Sequence, residues 1–443
     1  MLAAGVAVVA VAGAITAVIV SSRDDGSSAR PVSSSRTSPG GTTAPGSSGT
    51  TTVPGSPPPL DTTTSPVPAT TAQLLPAPGP QSPRRHSFVV GVVDDSLAQA
   101  DPASARQRVE LSHRAGFDAV VLTATWKAPQ TRPPPGSLRG IHNVARAAKQ
   151  DHMRLFLVVW HGLGRDTPKN AEERGQFASF AAAVVRAVPE VYGVIVGNEP
   201  NLITFWKPQF GPGGRDVAAA GYEDLLARSY DAIKAANSHV RVIGVGLSPR
   251  GADRPGGIRP THSPTTFIRD LGAAYRASGR RAPLMDSFAI HPYMVNSAIP
   301  PTVAHPTTTQ ITLADYPKLV TLLDEAFRGT PQRGRTLPIL YAEFGVQTRL
   351  PPGKLGAYEG ASETETRLVS PERQAEYYRR ALALAYCQPT VKGLFIFHTY
   401  DEFALEGWQS GLYYADNTPK PSLQPFRQSV SDLRDGSLTT CPR

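Results

Sequence analysis

From residue 88 onward, short apolar runs alternate with longer segments in which apolar residues recur at helical spacing. Most of the short runs are continuously apolar in their first half and polar at their C-terminal end, which is typical of parallel strands buried on both faces. Eight such runs are predicted to be strands: FVVGVVDD from Phe88, AVVLTATW from Ala119, RLFLVVWH from Arg154, VYGVIVGNE from Val191, VRVIGVG from Val240, MDSFAIHPY from Met285, LPILYAEFG from Leu337 and KGLFIFHTY from Lys392. Strands that alternate with helices predict an α/β fold made of βα units.

The segments between these runs favour helices. In the clearest one, apolar side chains share one helical face at i, i+3, i+4, i+7, i+8 and i+11: Phe177, Phe180, Ala181, Val184, Val185 and Val188. The seventh helix is predicted to begin after Ser370 as N-cap, with Pro371 in its first position and Glu372 in its first turn.

An open, doubly wound sheet would show the same alternation. However, no Gly-rich nucleotide-binding loop follows the first run, which ends in Asp94 and Asp95. We therefore predict one closed (β/α)8 TIM barrel over residues 87–443. The long segments after runs 4, 6 and 7 are expected to shape a cleft at the end of the barrel where such folds assemble active sites: 207–216, 294–309 and 349–368.

The first 86 residues differ in composition. Residues 2–20 are uncharged and mainly apolar over about the length that crosses a bilayer, so 1–20 is predicted to be a signal peptide or a membrane anchor rather than a buried helix. Residues 21–86 are rich in Ser, Thr, Pro and Gly, and the first Phe, Tyr or Trp is Phe88, which predicts a disordered linker. The protein is expected to be exported and extracellular or at the cell surface, touching the membrane only through its N-terminal segment.

The net charge bears on the binding partners of the protein, and the cysteine content bears on its compartment. The formal net charge is +9 but the basic residues are scattered, which argues against nucleic acid as a partner, and a monomer is expected. The two cysteines, Cys387 and Cys441, are compatible with one disulfide in an oxidising compartment, and two free thiols are the alternative.

Two glutamates stand at the ends of predicted strands on opposing sides of the barrel mouth. Glu199 ends run 4 in VGNEPN, and Glu343 ends run 7 in LYAEFG. A pair of facing carboxyl groups is what hydrolysis of a glycosidic bond with retention requires, one to protonate the leaving oxygen and one to attack the anomeric carbon. Either residue alone could be a structural carboxylate, and the pair at these two strand ends is what favours catalysis.

Aromatic placement supports a sugar site independently. All four tryptophans fall at or just past the C-terminal ends of predicted strands 2, 3, 4 and 8: Trp126, Trp160, Trp206 and Trp408. Pyranose rings stack on aromatic faces, so a cleft rimmed by tryptophan is expected, although each one singly could equally be a loop-packing residue.

Over residues 88–426 these motifs resemble glycoside hydrolase clan A, which includes families 5 and 39. The resemblance implies that Asn198 is a sugar-binding amide, Glu199 an acid/base that holds a proton near neutral pH, and Glu343 an ionised nucleophile. The His-x-Tyr motif maps onto His291 and Tyr293, with Tyr293 as a hydrogen-bond donor near the nucleophile. The segment GLYYADNTPKPSLQPF from Gly411 is similar to the passage into the last helix of such enzymes. A retaining glycosidase acting on a carbohydrate by double displacement, without a cofactor, is the implied function.

Some features depart from that pattern. Strand 8 ends in Phe397, His398, Thr399 and Tyr400 where many clan members have tryptophan. Either Trp408 takes that place, or His398 and Tyr400 line a differently shaped subsite. The expected substrate contacts also include His161, His398 and Trp408. For His291, a buried histidine bonded to the scaffold is an equal alternative.

Two other functions stay open. The first is a surface-anchored, carbohydrate-binding barrel without turnover. The second is a metal-dependent hydrolase, in which strand-end side chains would converge on zinc: His161, His291, His398, Asp94 and Asp95. No His-x-His pair follows strand 1, so no metal site is expected.

Overall fold

The computed structural model of the protein describes residues 88–360, 367–438 and 441. The apolar segment 1–20 and the linker 21–86 predicted above lie outside these residues. Among the residues described, no helix combines the length and the apolar character needed to span a bilayer.

All eight predicted strands are present, and they close into a barrel in chain order, with every strand parallel to its neighbours and β1 paired with β8. The strands are β1 Val89–Val93, β2 Ala119–Thr125, β3 Arg154–Trp160, β4 Val191–Val196, β5 Arg241–Leu247, β6 Ser287–Ile290, β7 Ile339–Phe344 and β8 Val391–Phe397. The predicted (β/α)8 TIM barrel is therefore confirmed for the described part of the chain.

Helices follow the strands around the barrel. They are α1 Pro102–Ala115, α2 Arg139–Gln150, α3 Ala171–Ala187, α4 Ala218–Ala236, α5 Pro264–Ser278, α6 Tyr316–Phe327, α7 Pro371–Cys387 and α8 Leu423–Asp435. The predicted start of α7 is confirmed, because the Ser370 side chain accepts a hydrogen bond from the backbone N–H of Arg373 at 3.3 Å and so satisfies one donor that the helix leaves open.

Apolar side chains form two separate clusters, one inside the barrel and one between the barrel and its helices. Successive residues of a strand point to opposite faces, so β1 sends Val89 and Val93 inward and Val90 and Val92 toward the helices. Gly91 also faces the interior, where a Cβ would come within 2.3 Å of the Phe395 ring. The absence of a side chain at Gly91 is thus what lets Phe395 fill the barrel.

The cysteines form a disulfide, which decides between the two states that the sequence leaves open. Cys387 is the last residue of α7 and Cys441 lies near the C-terminus, with their Cα atoms 5.6 Å apart. The bond ties the end of the chain to the wall of the barrel.

Candidate active site

Glu199 is held by an unusual stretch of backbone just beyond β4. The chain turns at Gly197, with φ of 80°, and Glu199 itself has φ of 41°, in the left-handed region that non-glycine residues rarely adopt. The backbone N–H of Glu199 donates to the carbonyl of Gly246 at 2.8 Å, which fixes this turn against the end of β5. Backbone strain of this kind persists only where surrounding contacts over-determine it, and it is concentrated at functional sites.

Glu343 lies inside β7, one residue before the strand ends. The hydroxyl of Tyr293 donates to its Oε2 at 3.2 Å. Tyr293 follows β6, so two neighbouring strands supply the carboxylate and its donor. The predicted contact between Tyr293 and the carboxylate is therefore present.

His291 joins the two carboxylates. Its Nδ1 lies 3.1 Å from Oε1 of Glu199 and 3.5 Å from Oε2 of Glu343. Two oxygens that share one nitrogen at these distances are less than about 7 Å apart, which fits the short separation of a retaining pair better than the wider gap that admits a water in inverting enzymes. On the other side of the ring, Nε2 of His291 lies 3.3 Å from where a Cβ on Gly246 would stand. Glycine at that position therefore leaves room for the histidine.

Burial and neighbouring charges both shift the pKa values of His291 and Glu343. Burial lowers the pKa of His291, but the charges of Glu343 and Glu199 and the hydrogen bond with Glu199 outweigh it, so the pKa of His291 is raised. Burial raises the pKa of Glu343, and the repulsion of Glu199 adds to this, while His291 and the hydrogen bond from Tyr293 lower it in part. The resemblance implies that Glu343 stays ionised; in this site its ionisation depends on the positive charge of His291 and on the Tyr293 donor.

Several buried polar atoms of predicted site residues have no hydrogen-bond partner among the described residues. They are Oε2 of Glu199, the indole Nε1 atoms of Trp160 and Trp408, and Nδ1 of His398. The Trp408 ring packs 5.1 Å from the Tyr293 ring, and Trp160 belongs to the cluster inside the barrel. Buried polar atoms without partners are costly in a folded protein, so these atoms are available to hydrogen-bond a polar ligand.

Three predicted substrate contacts, Trp126, Trp206 and His161, pack against other aromatic side chains, and their contact with a sugar stays a prediction. Trp126 is 0% exposed in the cluster between barrel and helices, where it packs on Phe177 and its Nε1 donates to the carbonyl of Gln130. Trp206 lies in the same cluster against Tyr222. His161 packs edge-on against Trp206, and burial lowers its pKa to about 4, which favours the neutral ring.

Asn198 is half-buried beside Glu199, and its contact with a sugar stays a prediction. The histidines and aspartates considered for zinc do not converge. Asp94 instead accepts a hydrogen bond from the backbone N–H of Thr399 at 2.9 Å, and Asp95 accepts one from Thr123 at 2.7 Å, so both tie neighbouring strand ends together.

Sequence reasoning missed two residues that position Glu199. The side chain of Asn201 accepts from the backbone N–H of Ser248 at 3.0 Å and donates to the carbonyl of His262 at 3.0 Å. The amide of Gln209 donates to the carbonyl of Pro200 at 2.9 Å. An asparagine and a glutamine in loops carry no sequence signal for such a role, because their partners are backbone groups of distant segments.

No protein-family model and no curated relative matches the sequence. Solved structures share the fold. A family 39 glycoside hydrolase from the gut symbiont Bacteroides cellulosilyticus WH2 aligns with a TM-score of 0.55 at 20% identity, over 79% of this chain and 64% of that chain. A glucosidase from Croceicoccus marinus aligns with a TM-score of 0.53 at 11% identity, over 80% and 69% of the two chains. GH5_18 from Streptomyces cattleya, in complex with GlcNAc, aligns with a TM-score of 0.51 at 17% identity, over 82% and 83%.

This chain therefore spans slightly less than two thirds of the length of the Bacteroides enzyme, at 64%. At these identities the likeness establishes the shared barrel. The resemblance to clan A glycoside hydrolases is confirmed at the level of fold.

Proposed function

We propose that the protein is a retaining glycoside hydrolase with Glu343 as nucleophile and Glu199 as acid/base. The observation that carries the proposal is the contact of both carboxylates with one nitrogen of His291, with Tyr293 donating to Glu343. Structural likeness to glycosidases adds the fold on which such a pair is built.

In the first step Oε2 of Glu343 attacks the anomeric carbon and forms a glycosyl ester, while Glu199 gives its proton to the leaving oxygen as the glycosidic bond breaks. In the second step Glu199 takes a proton from water, whose oxygen attacks the anomeric carbon and releases Glu343 as a carboxylate. Oε2 of Glu199 is buried without a donor among the described residues, which makes it the oxygen free to carry this proton.

His291 and Tyr293 provide the charge balance. Both place hydrogen-bonding groups on the carboxylates, and the raised pKa of His291 favours its cationic form beside Glu343. A cation and a phenol next to Glu343 stabilise the carboxylate that must attack and must later be released.

The sugar is proposed to lie between the carboxylates and the unpartnered atoms of Trp160, His398 and Trp408, with Asn198 donating to the 2-hydroxyl. The loops that follow the strands at this end of the barrel also fit the proposal. The exposed large apolar side chains of the described residues all lie in loops after β5, β6, β7 and β8: Ile258, Val295, Val303, Leu355 and Phe403. Apolar groups gathered on one face, around a polar cleft, suit the binding of a polysaccharide or oligosaccharide.

We also propose that the protein is exported and acts, as a monomer, outside the cell or at its surface. The disulfide between Cys387 and Cys441 supports an oxidising compartment, and the apolar segment 1–20 would supply the export signal or anchor. No observation favours the inactive barrel or the metal-dependent hydrolase over the retaining glycosidase.

The test combines a panel of aryl glycosides with the matching 2-deoxy-2-fluoro inactivators. A substrate is identified first, its product is examined by NMR for retention, and the inactivated protein is digested and analysed by mass spectrometry. The expected result is a retained anomer and a glycosyl adduct on Glu343.

Two variants separate the roles. Glu343→Gln is expected to lose turnover by at least about 1,000-fold on every substrate. Glu199→Gln should lose turnover strongly on substrates with poor leaving groups and far less on dinitrophenyl glycosides, which depart without a proton. An inverted product, or an adduct on another carboxylate, contradicts the proposal.

A further inference from the structure

A second group of ligand-type side chains lies outside the candidate active site. Asp216 ends the loop after β4, His262 precedes α5, and Asp270 lies within α5. Each offers one ligand atom, and these atoms all lie within 4.8 Å of one another. In the part of the chain that the structure describes, no other group of three or more His, Cys, Asp or Glu side chains comes together in this way.

One pair in this group, His262 and Asp216, has the spacing of metal ligands. Nε2 of His262 lies 3.3 Å from Oδ1 of Asp216. Two ligands at about 2.0–2.1 Å from a tetrahedral zinc ion are about 3.4 Å apart. The ligand atom of Asp270 lies within 4.8 Å of the other two.

Hydrogen bonding within the group is incomplete. Oδ2 of Asp216 is buried without a donor among the described residues, on a side chain that is only 9% exposed. A second carboxylate beside a buried, unpartnered carboxylate oxygen is unfavourable unless a cation or a proton lies between them.

A carboxylate also lies near the far side of the imidazole. Nδ1 of His262 has no hydrogen-bond partner among the described residues and faces Oδ1 of Asp253 at 3.9 Å. Asp253 is itself held by the backbone N–H of Ser263 at 2.7 Å. A histidine that binds a metal through one nitrogen usually directs its other N–H at a carboxylate, which fixes the ring and strengthens the ligand.

We propose that Asp216, His262 and Asp270 bind one divalent transition metal ion, with zinc as the best-suited ion and Asp253 orienting His262. An imidazole with two carboxylates suits zinc, whereas calcium prefers six to eight oxygen ligands. Nε2 of His262 is hydrogen-bonded to the backbone carbonyl of Gln209 at 3.0 Å, and metal binding replaces this bond; the carbonyl also accepts from the N–H of Val217 at 3.1 Å. It therefore keeps a donor when Nε2 turns to the metal.

The position of this site gives the ion a structural role. It joins the loop after β4 to the loop after β5, and the backbone of His262 is bonded in both directions to Asn201, two residues beyond Glu199. The ion would brace the segment that carries Glu199 without touching the carboxylates of the candidate active site. The proposal holds whether or not the barrel hydrolyses glycosides.

The test uses the full chain, stripped of metal with a chelator and dialysed. Zinc chloride is titrated into it by calorimetry at pH 7.5, and the zinc retained after gel filtration is measured by mass spectrometry. The expected result is about one zinc ion per chain, together with a zinc-dependent rise in the thermal midpoint. X-ray absorption at the zinc edge should show nitrogen and oxygen ligands without sulfur.

Matched variants locate the ion. Asp270→Asn and Asp216→Asn should each weaken zinc binding by at least about tenfold, while Asp231→Asn, on the surface of α4, should leave it unchanged. Glu343→Gln should also keep the zinc, which separates this site from the candidate active site. If wild-type protein retains no zinc, the proposal is overturned and a shared proton between the aspartates is the alternative. The proposal is also overturned if Asp270→Asn binds zinc as tightly as wild type does, or if Glu343→Gln loses the zinc. Circular dichroism of each variant confirms that binding is compared between folded proteins.

Discussion

Nδ1 of His291 lies 3.1 Å from Oε1 of Glu199, and Oε2 of that same carboxylate is buried without a hydrogen-bond partner among the described residues. One oxygen of Glu199 is thus fixed by the protein while the other is left for a ligand. The same nitrogen lies 3.5 Å from Oε2 of Glu343, so one imidazole contacts both carboxylates.

Removing the donor to Glu343 should change the acid side of the pH profile. Burial raises the pKa of Glu343, and the hydrogen bond from Tyr293 opposes that rise. A nucleophile works only as the carboxylate, so activity is lost as the pH falls through the pKa of Glu343. In Tyr293→Phe this pKa rises further and the acid limb of kcat/KM moves to higher pH, with kcat/KM at pH 5 lower by about 10- to 100-fold.

The control for that measurement is Tyr275→Phe, which removes a hydroxyl bonded to the carbonyl of Ala282 away from the carboxylates. Its pH profile should match wild type. An acid limb that stays in place in Tyr293→Phe would show that the phenol does not act on Glu343.

The raised pKa of His291 predicts a stability that depends on pH. A histidine whose pKa is raised on folding contributes stability that is fully present below its unfolded pKa, about 6.5, and is lost as the pH rises through the folded value. At pH 6, His291→Gln should lower the free energy of unfolding by about 3–5 kcal/mol, because it leaves two buried carboxylates without their cation. Denaturant titrations from pH 6 to pH 9 should show this difference shrinking.

The exposed His239 gives the matched control, since His239→Gln should leave the free energy of unfolding unchanged at every pH. If the difference between wild type and His291→Gln is constant with pH, His291 is neutral in the folded protein and its role is packing alone.

Replacing Trp126 with phenylalanine should mainly affect stability, whereas the same replacement at Trp408 should mainly affect catalysis. Trp126→Phe removes buried volume and an indole donor bonded to Gln130, so it should lower the free energy of unfolding by about 1–3 kcal/mol without changing KM. Trp408→Phe removes an unpartnered donor beside Tyr293, so it should lower kcat/KM by about tenfold with a smaller effect on stability. Chemical denaturation and steady-state kinetics on both variants decide this. Equal kinetic losses would place both rings at the substrate.

A buried ion pair should anchor the loop after β8. Nζ of Lys420 lies 2.7 Å from Oδ1 of Asp401, and neither side chain is exposed. Lys420→Met leaves the Asp401 charge buried and unpaired, and should cost about 3–5 kcal/mol of stability in denaturant titrations. The control is Lys354→Met, which breaks the partly exposed pair with Asp416 and should cost less than about 1 kcal/mol. Equal losses in the two variants would contradict this account.

The sequence predicts much of the fold because strand burial and helix capping depend on residues that are close together in the chain. Runs that are buried on both faces are continuously apolar, and all eight are strands in the structure. Ser370 precedes Pro371 and caps its helix as expected, since a cap needs only neighbouring residues. Glu199 and Glu343 lie at ends of strands on opposing sides of the barrel, as their positions in runs 4 and 7 predict.

The local sequence pattern does not predict on which side of the barrel wall Trp126 and Trp160 lie. Trp160 pairs in register with Thr125, so Trp126 stands one residue beyond the end of β2 and lies on the opposite side of the wall. A shift of one residue between neighbouring strands exchanges inside for outside, and that register is set by the whole closed barrel. Trp126 therefore packs on a helix while Trp160 lies inside.

By itself, the sequence determined the order of strands and helices, the start of the helix at Pro371 and the two glutamates at the barrel mouth, because each depends on residues close together in the chain. Only the tertiary structure decided that Cys387 pairs with Cys441, that His291 stands between Glu199 and Glu343, and that Asp216, His262 and Asp270 meet. These residues are far apart in sequence and have no characteristic spacing. They are brought together by barrel closure, whose register and loop packing are collective properties of all eight strands.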